Sequence, residues 1–371
     1  MAKTPPMGFN TWNTFSTNFN EKLLCEIADA MVDRGFKDAG YEYIVIDDHW
    51  EMETRDPDTN KLVPREAKFP NSDIRPTIDY IHSKGLKAGI YTCAGVKTCG
   101  GKAASYNHEF FDAKTFAEWG FDYVKHDYCQ KPETQDGSVL MRRMGLALRE
   151  CGRDILYAAC SWGQNECWKW IRSTGAHMYR STGDIYDTYS QINNIFRSQY
   201  NNLGYSAPYC YNDLDMLTVG MSGEGGAGKG SGCTAGEYRI QFCVWCMYNA
   251  PLILGCDVRT VSDEYRDLLC NKDLIAINQD PEARPPFQVG VADIHCKHLA
   301  NNEYALLFIN KKDHDADMSC LTYDLGWTEN SGYKLELTDI FTGEKMLLQT
   351  AGLKVDVKAQ DCRIFKMKFV K

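Results

Sequence analysis

The 371-residue sequence lacks three features that would assign it quickly to a class of protein. It has no run of eighteen apolar residues that could span a membrane, so we expect no membrane partner. No basic cluster interrupts the net charge of −9, which argues against binding to a nucleic-acid backbone. The start, MAKTPPMGFN, lacks the apolar stretch of a secretion signal. A cytoplasmic protein is therefore expected, and the alternative is a secreted protein whose signal has been removed.

The sixteen cysteines do not follow the short, regular spacing of a small disulfide scaffold. Most lie in apolar runs such as FCVWCMYN (242–249), where cysteines are typical of small buried hydrophobic side chains. With 44% apolar and 25% charged residues, the composition is that of a globular protein. The length suits one large domain plus a small one, or two domains of ordinary size.

Apolar, strand-like segments alternate with segments of helical period through the first three quarters of the chain. Several of the strand-like segments are continuous apolar runs, which are typical of parallel strands buried on both faces. The helical period is clear in EKLLCEIADAMVDRG (21–35) and TIDYIHSKG (77–85). We predict eight strands, which lie within residues 7–12, 41–48, 86–92, 121–127, 154–161, 176–182, 207–213 and 250–257.

Eight strands, each followed by a helix or a long connection, predict a (β/α)8 TIM barrel over residues 1–282. A doubly wound open sheet is the alternative, but such sheets usually have fewer strands and often carry a glycine-rich phosphate loop. The glycine-rich stretch here, GMSGEGGAGKGSG (220–232), lacks the Walker spacing and predicts a flexible surface loop. After a proline-rich junction near 281–286, short strand-like segments separated by turn residues predict an antiparallel β-sandwich over residues 283–371.

Polar side chains end most of the predicted barrel strands. The stretch FDYVKHDYC (121–129) brings Lys125 and Asp127 to the end of a buried strand, although desolvating a charge is costly. Because the C-terminal ends of barrel strands surround the active-site mouth, these residues are expected to converge there. The acidic residues at or just beyond strand ends are Asp47, Asp48, Asp127, Asp184, Asp213 and Asp215. Only Lys125 and Arg180 oppose them, which favours catalysis over structural ion pairs.

Three kinds of chemistry could use such a mouth. Carboxylates could bind a divalent metal, but metal sites in barrels usually add histidines, and only His49 and His126 lie near strand ends. Phosphate recognition needs backbone N–H nests or basic clusters, which are scarce. Glycoside hydrolysis needs one ionised carboxylate as nucleophile and one protonated carboxyl as acid, with polar and aromatic groups that hold the sugar. The third chemistry fits these residues best.

The sequence resembles glycoside hydrolase family 27, the α-galactosidases and α-N-acetylgalactosaminidases. Seven motifs carry the resemblance along nearly the whole chain: TPPMGFNTWNTF, IDDHW, GIYTCAGVKTC, FDYVKHDYC, YRSTGD, YNDLDML and LIAINQDP. The family fold is a (β/α)8 barrel followed by a C-terminal antiparallel β domain, which agrees with the pattern above. The resemblance implies a retaining exo-α-glycosidase that needs no metal and no organic cofactor.

The resemblance also implies roles for individual residues. Asp127 matches the catalytic nucleophile and Asp184 the acid/base, and the ammonium group of Lys125 is expected to favour the ionised form of Asp127. Cys99 and Cys129 match a disulfide beside the site. The positions that match ligands or neighbours of the terminal galactose are Trp12, Asp47, Asp48, Tyr91, Cys99, Lys125, Arg180, Asp215 and Met216.

The chain departs from the family pattern at two places. His49 stands where secreted animal members carry a disulfide cysteine, and Ala176 replaces the partner that Cys160 would need, so those bridges are absent. In CSWGQN (160–165), Ser161 occupies a position where α-galactosidases typically have glutamate facing the 2-hydroxyl of the sugar. The α-N-acetylgalactosaminidases have serine there and alanine at the position of Gln164. Ser161 and Gln164 are therefore candidate substrate ligands.

The expected substrate is a small molecule or oligosaccharide with a terminal α-D-galactosyl residue, and an α-N-acetylgalactosaminide is the nearest alternative. A catalytically inactive barrel that only binds carbohydrate is a further alternative. The presence of both Asp127 and Asp184 argues against it, because a binding module needs no acid/base pair. No oligomeric state is predicted.

Overall fold

The computed structural model describes residues 1–290 and 293–371, and the chain divides into two compact units. The first unit contains Met1–Gly232 and Pro251–Cys270, and the second contains Cys233–Ala250 and Asn271–Lys371. The segment Cys233–Ala250 therefore belongs to the same unit as the C-terminal strands, although barrel segments flank it in the sequence. The domain boundary between residues 282 and 283 remains a prediction.

Eight parallel strands form the sheet of the first unit, as predicted, and each lies within one of the predicted segments or differs from it by one residue. The strands are β1 Met7–Asn10, β2 Tyr43–Ile46, β3 Lys87–Cys93, β4 Tyr123–Asp127, β5 Leu156–Cys160, β6 Met178–Arg180, β7 Tyr211–Asp213 and β8 Leu252–Leu254. Their order in the sheet is β7-β6-β5-β4-β3-β2-β1-β8. Leu217, just beyond β7, forms a parallel bridge with Leu254 of β8 and closes the barrel.

The helices of the first unit alternate with its strands. They are α1 Trp12–Phe15, α2 Glu21–Asp33, α3 Phe36–Ala39, α4 Arg75–Ser83, α5 Glu109–Trp119, α6 Gly137–Glu150, α7 Tyr189–Ser198 and α9 Asp263–Leu269. Helix α8, Ala235–Met247, belongs to the second unit. Helix α2 buries Leu24, Ile27, Ala28 and Met31 at helical spacing, and Asn20 caps its N-terminus by accepting from the Leu23 N–H. In the described part of the chain, no helix is both long and apolar enough to cross a bilayer.

Strand β4 explains why a lysine and an aspartate can end a buried strand. Successive side chains of a strand point to opposite faces, so Lys125 and Asp127 share one face and His126 takes the other. His126 is fully buried against Tyr157, with its Nδ1 atom 3.1 Å from the Tyr157 hydroxyl. Burial lowers the pKa of His126 to about 3, so its ring is neutral at physiological pH. The two charged residues therefore face the barrel interior while the histidine packs behind it.

The barrel interior below these charges is filled by side chains. A buried cluster contains Tyr43, Val45, Tyr123, Leu156, Ala158, Met178, Met216 and Ile253, contributed by five strands and the segment after β7. Filling of this kind is typical of (β/α)8 barrels, whose interior is a packed core rather than a pore. Any ligand that enters from the C-terminal ends of the strands therefore meets a closed floor.

The second unit is an antiparallel β-sandwich, as predicted, with two helices. Its strands are β9 Phe287–Gln288, β10 Ile294–His298, β11 Glu303–Asn310, β12 Ala316–Leu321, β13 Lys334–Asp339, β14 Lys345–Leu348, β15 Gly352–Val357 and β16 Asp361–Val370, and its helices are α8 and α10 Lys272–Asn278. Six strands form one sheet in the order β14-β13-β16-β11-β10-β9, and β12 pairs with β15. Strands β9, β10 and β14 were not predicted from the sequence.

Candidate active site

A cavity of about 460 Å³ opens at the C-terminal ends of the barrel strands. A cavity of similar size, about 470 Å³, lies at the opposite ends of β5 and β6 and is lined by Arg149, Arg153 and Arg172, without paired carboxylates among its described residues. The first cavity holds the chemistry expected from the sequence. Nine predicted site residues line it: Trp12, Asp47, Asp48, Tyr91, Cys99, Lys125, Asp127, Arg180 and Asp184.

Lys125 and Asp47 form the central ion pair of the cavity. The ammonium of Lys125 lies 2.8 Å from Asp47 Oδ2, and the amide of Asn10 donates to the same oxygen at 2.7 Å. Burial alone would lower the pKa of Lys125, but the carboxylates of Asp47 and Asp127 raise it, so the side chain stays charged. The ammonium also lies 5.3 Å from the ring centroid of Tyr91, its neighbour on β3. A lysine fixed in this way is a rigid hydrogen-bond donor on the wall of the cavity.

Asp48 and Trp12 form one side of the cavity. Asp48 accepts hydrogen bonds from the backbone N–H groups of His49 and Gly100, both at 2.7 Å. The Trp12 and His49 rings stack with centroids 6.3 Å apart, and the backbone N–H of Trp12 donates to Asn10 Oδ1. An aromatic face beside a fixed carboxylate offers a sugar both an apolar surface and a hydrogen-bond acceptor.

Asp127 ends β4 and is 6% exposed. Its Oδ1 atom accepts from the Tyr128 N–H at 2.8 Å. Burial raises the pKa of Asp127 above its usual value, and Lys125 and Arg180 oppose this by lowering it. The expected influence of Lys125 is therefore present, but it does not prevail, because desolvation of the carboxylate has the larger effect on the pKa of Asp127.

Asp184 lies beyond β6, and its side chain is 62% exposed. Arg180, the last residue of β6, donates a short hydrogen bond to Asp184 and also lies 3.2 Å from Asp215. Burial would raise the pKa of Asp184, but the guanidinium of Arg180 lowers it below its usual value. The two candidate catalytic carboxyls therefore have pKa values shifted in opposite directions, with Asp127 the weaker acid.

Cys99 and Cys129 form a disulfide at the edge of the cavity, with Cα atoms 5.1 Å apart. The Cys99 sulfur lies 3.6 Å from Asp127 Oδ2 and 3.3 Å from the Tyr91 hydroxyl. The ligand atoms of Cys99, Cys129 and Asp127 are close enough together for a metal ion, but a disulfide leaves no thiolate to bind one. The fourteen other cysteines, all described, are not disulfide-bonded, including Cys160.

Four predicted ligands do not line the cavity. Asp215 forms an ion pair with Arg180, which lines the cavity, and Met216 packs in the buried cluster that fills the barrel interior. Ser161 is buried and does not line the cavity. Gln164 is exposed and begins a short 3₁₀ helix, Gln164–Lys169. Their roles as substrate ligands remain predictions.

Trp162 and Gly183 line the cavity although neither was singled out in the sequence. Trp162 follows β5 directly after Ser161, and its ring meets the Tyr128 ring edge-on at 6.3 Å. A tryptophan just beyond a barrel strand and followed by glycine was a usable signal. Ser161 and Gln164 of that segment were predicted as ligands from the sequence, and the aromatic residue between them was not.

Two carboxyl groups line a barrel cavity whose inner end is filled by packed side chains, and cations and aromatic rings line the same cavity. This arrangement is that of a glycosidase. The family model described as "Alpha galactosidase A" matches residues 4–280, and that described as "Alpha galactosidase C-terminal beta sandwich domain" matches residues 289–367. The chain therefore belongs to the α-galactosidase family, glycoside hydrolase family 27.

Individual relatives match over almost the full chain. The α-galactosidase of Cyamopsis tetragonoloba is 36% identical over 98% of this chain and 86% of its own length. Alpha-galactosidase 3 of Arabidopsis thaliana is 40% identical over 98% of this chain and 82% of its own length. The crystal structure of α-galactosidase I from Mortierella vinacea superposes with a TM-score of 0.90 at 32% identity, covering 99% of this chain and 97% of that one.

Proposed function

We propose that the protein is a retaining exo-α-galactosidase that releases terminal α-D-galactosyl residues. The observation that carries this proposal is that Asp127 and Asp184 line the same cavity, which Lys125 and Arg180 also line. The packed floor of the barrel closes the cavity at one end, so the end of a saccharide fits there and the middle of a chain does not. Asp47, Asp48 and Lys125 provide the acceptors and the donor for the hydroxyls of the terminal sugar.

The reaction follows from these positions as a double displacement. The Asp127 carboxylate attacks the anomeric carbon and forms an ester while the bond to the leaving oxygen breaks and that oxygen takes the proton of Asp184. Asp184, now ionised, then removes a proton from water, whose oxygen attacks the anomeric carbon and releases Asp127. Two inversions give net retention, and no cofactor takes part.

The pKa directions of the two carboxyls in the protein alone are opposite to these roles, because Asp184 needs the proton and Asp127 must lose it. Arg180 is the group that lowers the pKa of Asp184, and it is also a proposed sugar ligand. A sugar hydroxyl that accepts from Arg180 would withdraw the guanidinium from Asp184 and favour its protonated form. Substrate binding would thus place the proton where the chemistry needs it.

Asp127→Asn is the test of the proposal. The wild-type protein is expected to hydrolyse p-nitrophenyl α-D-galactoside with retention, which NMR of the first-formed galactose anomer detects. Because an amide cannot form the ester intermediate, the variant should lose kcat by about 10³-fold or more. Asp154→Asn, which changes an exposed aspartate just before β5, is the control. A variant that keeps more than about a tenth of wild-type kcat would contradict the role of Asp127.

The α-N-acetylgalactosaminides are a second candidate class of substrate. Ser161 favours them, because serine leaves space for a 2-acetamido group that the glutamate typical of α-galactosidases would fill. Gln164 favours galactose, because its side chain is longer than the alanine of the N-acetylgalactosaminidases and carries an amide. We therefore propose galactosidase activity as the main reaction, with some acceptance of the acetamido sugar.

A further inference from the structure

A second cavity adjoins the catalytic one. This groove of about 380 Å³ lies between the loop after β5, the segment after β6 and helix α7. It shares Trp162 and Gly183 with the catalytic cavity, so the two spaces meet at the residue before Asp184. Gly183 adds no obstruction, because even a Cβ atom built at this position would have no heavy atom within 4 Å. A ligand can therefore extend from one cavity into the other.

The chemistry of the groove suits a neutral polyhydroxyl ligand. None of the described residues that line it carries a charge, although a quarter of the chain is charged. Trp162 and Trp168 line the groove from the segment after β5. Gln191, Asn194 and Ser198 line it from α7, where they lie three and four residues apart and share one face. Aromatic faces together with amides and hydroxyls can stack on a sugar ring and hydrogen-bond to its rim.

The segment that carries the two tryptophans has a strained backbone. Trp162, Asn165 and Glu166 have φ values of 53°, 53° and 49°, in the left-handed region that is unfavourable for residues other than glycine. Gly163 between them has φ 81°, and a Cβ atom there would lie 2.4 Å from the Ser181 carbonyl oxygen. The loop is therefore pressed against the segment after β6 in a conformation with a folding cost, which holds Trp162 between the two cavities.

The groove is also connected to the acid/base residue. The side-chain amide of Gln191 donates a hydrogen bond of 2.8 Å to the backbone carbonyl oxygen of Asp184. Gln191 lines the groove, so the same residue contacts the groove's interior and fixes the backbone of Asp184. A ligand in the groove would thus lie on the side of the site where Asp184 protonates the leaving oxygen.

We propose that this groove binds the leaving-group sugars of an α-galactosyl oligosaccharide. The inference rests on the proposed function, because it assigns the catalytic cavity to galactose and the groove to what galactose is attached to. Trp168 stacks on a leaving-group sugar and Asn194 hydrogen-bonds to its hydroxyls. The enzyme is therefore selective for oligosaccharides over galactosides with small leaving groups.

Two substrates with the same galactose separate the groove from the catalytic cavity. Raffinose carries two sugars beyond its terminal α-galactose, whereas α-D-galactosyl fluoride has a single atom as its leaving group. Asn194→Ala should lower the ratio of kcat/KM for raffinose to that for the fluoride by about threefold, as expected for one neutral hydrogen bond. Trp168→Ala should lower it by about tenfold through lost stacking and contact area. Asn201→Ala, an exposed asparagine outside the groove, should leave the ratio unchanged.

A folding defect in Trp168→Ala would appear as a lowered Tm, and Trp168→Tyr, which keeps an aromatic face, should then restore most of the ratio. An unchanged ratio in both Asn194→Ala and Trp168→Ala, in an enzyme active on the fluoride, overturns the proposed role of the groove and leaves the proposed function intact. A parallel fall for both substrates overturns it as well, because the groove would then serve the catalytic cavity alone. A wild-type protein inactive on both substrates contradicts the proposed function itself.

Discussion

Arg180 donates a hydrogen bond to the carboxylate of Asp184, the residue proposed as the acid of the reaction. The same guanidinium lies 3.2 Å from Asp215, so Arg180 is held between two carboxylates at the edge of the cavity. This pairing lowers the pKa of Asp184 and also opposes the rise in the pKa of Asp127. One side chain therefore tunes both carboxyls of the proposed mechanism.

Arg180→Gln should move both limbs of the pH profile of kcat/KM to higher pH. A cation favours the ionised form of a neighbouring carboxyl, so its removal raises the pKa of Asp127 and of Asp184. The value of kcat/KM should also fall, because a proposed sugar ligand is lost. Arg180→Lys keeps the charge and is the control, with a smaller shift. A profile of unchanged shape in Arg180→Gln would show that this residue does not set the two pKa values.

Asp184→Ala should affect substrates according to their leaving groups. Raffinose, whose leaving sugar needs a proton, should lose far more activity than p-nitrophenyl α-galactoside, whose phenolate departs with little protonation. Azide should restore part of the turnover, since this anion attacks the galactosyl-enzyme without a general base. Equal losses on both substrates, with no response to azide, would indicate a binding or structural role.

Ser161→Glu should raise selectivity for galactose, and Gln164→Ala should raise acceptance of N-acetylgalactosamine. A glutamate would accept from the 2-hydroxyl and collide with a 2-acetamido group, whereas a shorter residue 164 would make room for it. Each change is worth a few kcal/mol at most, so the selectivity ratio should move by about 10–200-fold. The two p-nitrophenyl glycosides measure this ratio, with Ser161→Ala as control. A strong wild-type preference for the acetamido sugar would make the second candidate substrate the correct one.

His126 should make the fold sensitive to acid. Its pKa is about 3 in the folded chain and about 6.5 in the unfolded chain, so unfolding takes up a proton between these values. Stability is therefore lost as the pH falls below 6.5, by about 3 kcal/mol from this group at pH 4. His126→Phe should remove that slope in urea unfolding, and Tyr157→Phe, which keeps the histidine, should retain it. Parallel slopes in wild type and His126→Phe would contradict this account.

The barrel was predictable because two sequence signals indicate its strands: an apolar run for the buried strand and polar residues at its C-terminal end. In the second unit, β10 was missed because IHCKH contains a lysine and two histidines, which suggest an exposed segment. Lys297 is nevertheless fully buried, and its ammonium donates to Asn249 Oδ1 at 2.6 Å and to the carbonyl oxygens of Cys246 and Ile277. Acceptors so distant in the sequence leave no local pattern.

The residues of the site were easier to predict than its electrostatics. The alternation of side chains along β4 predicts that Lys125 and Asp127 share one face. The ion pair of Lys125 with Asp47 could not be predicted, because the two residues are far apart in the sequence. The depth at which Asp127 is buried, and hence the rise of its pKa, depends on packing from the whole barrel. Trp162 follows β5 and precedes a glycine, which was a usable sequence signal, but its left-handed backbone conformation is one that no composition rule predicts for tryptophan.

The alternation of β4 makes the number of residues in this strand as important as their identity. Inserting or deleting one residue within Tyr123–Asp127 would exchange the two faces of the strand beyond that point. The imidazole of His126 would then enter the sugar pocket, and both charges would be driven into the dry layer behind the barrel. A substitution in β4 alters the contacts of one side chain. A one-residue shift in register instead exchanges the face that holds Lys125 and Asp127 with the face that holds His126. The backbone hydrogen bonds that fix the register of β4 against β3 and β5 therefore decide which side chains face the cavity.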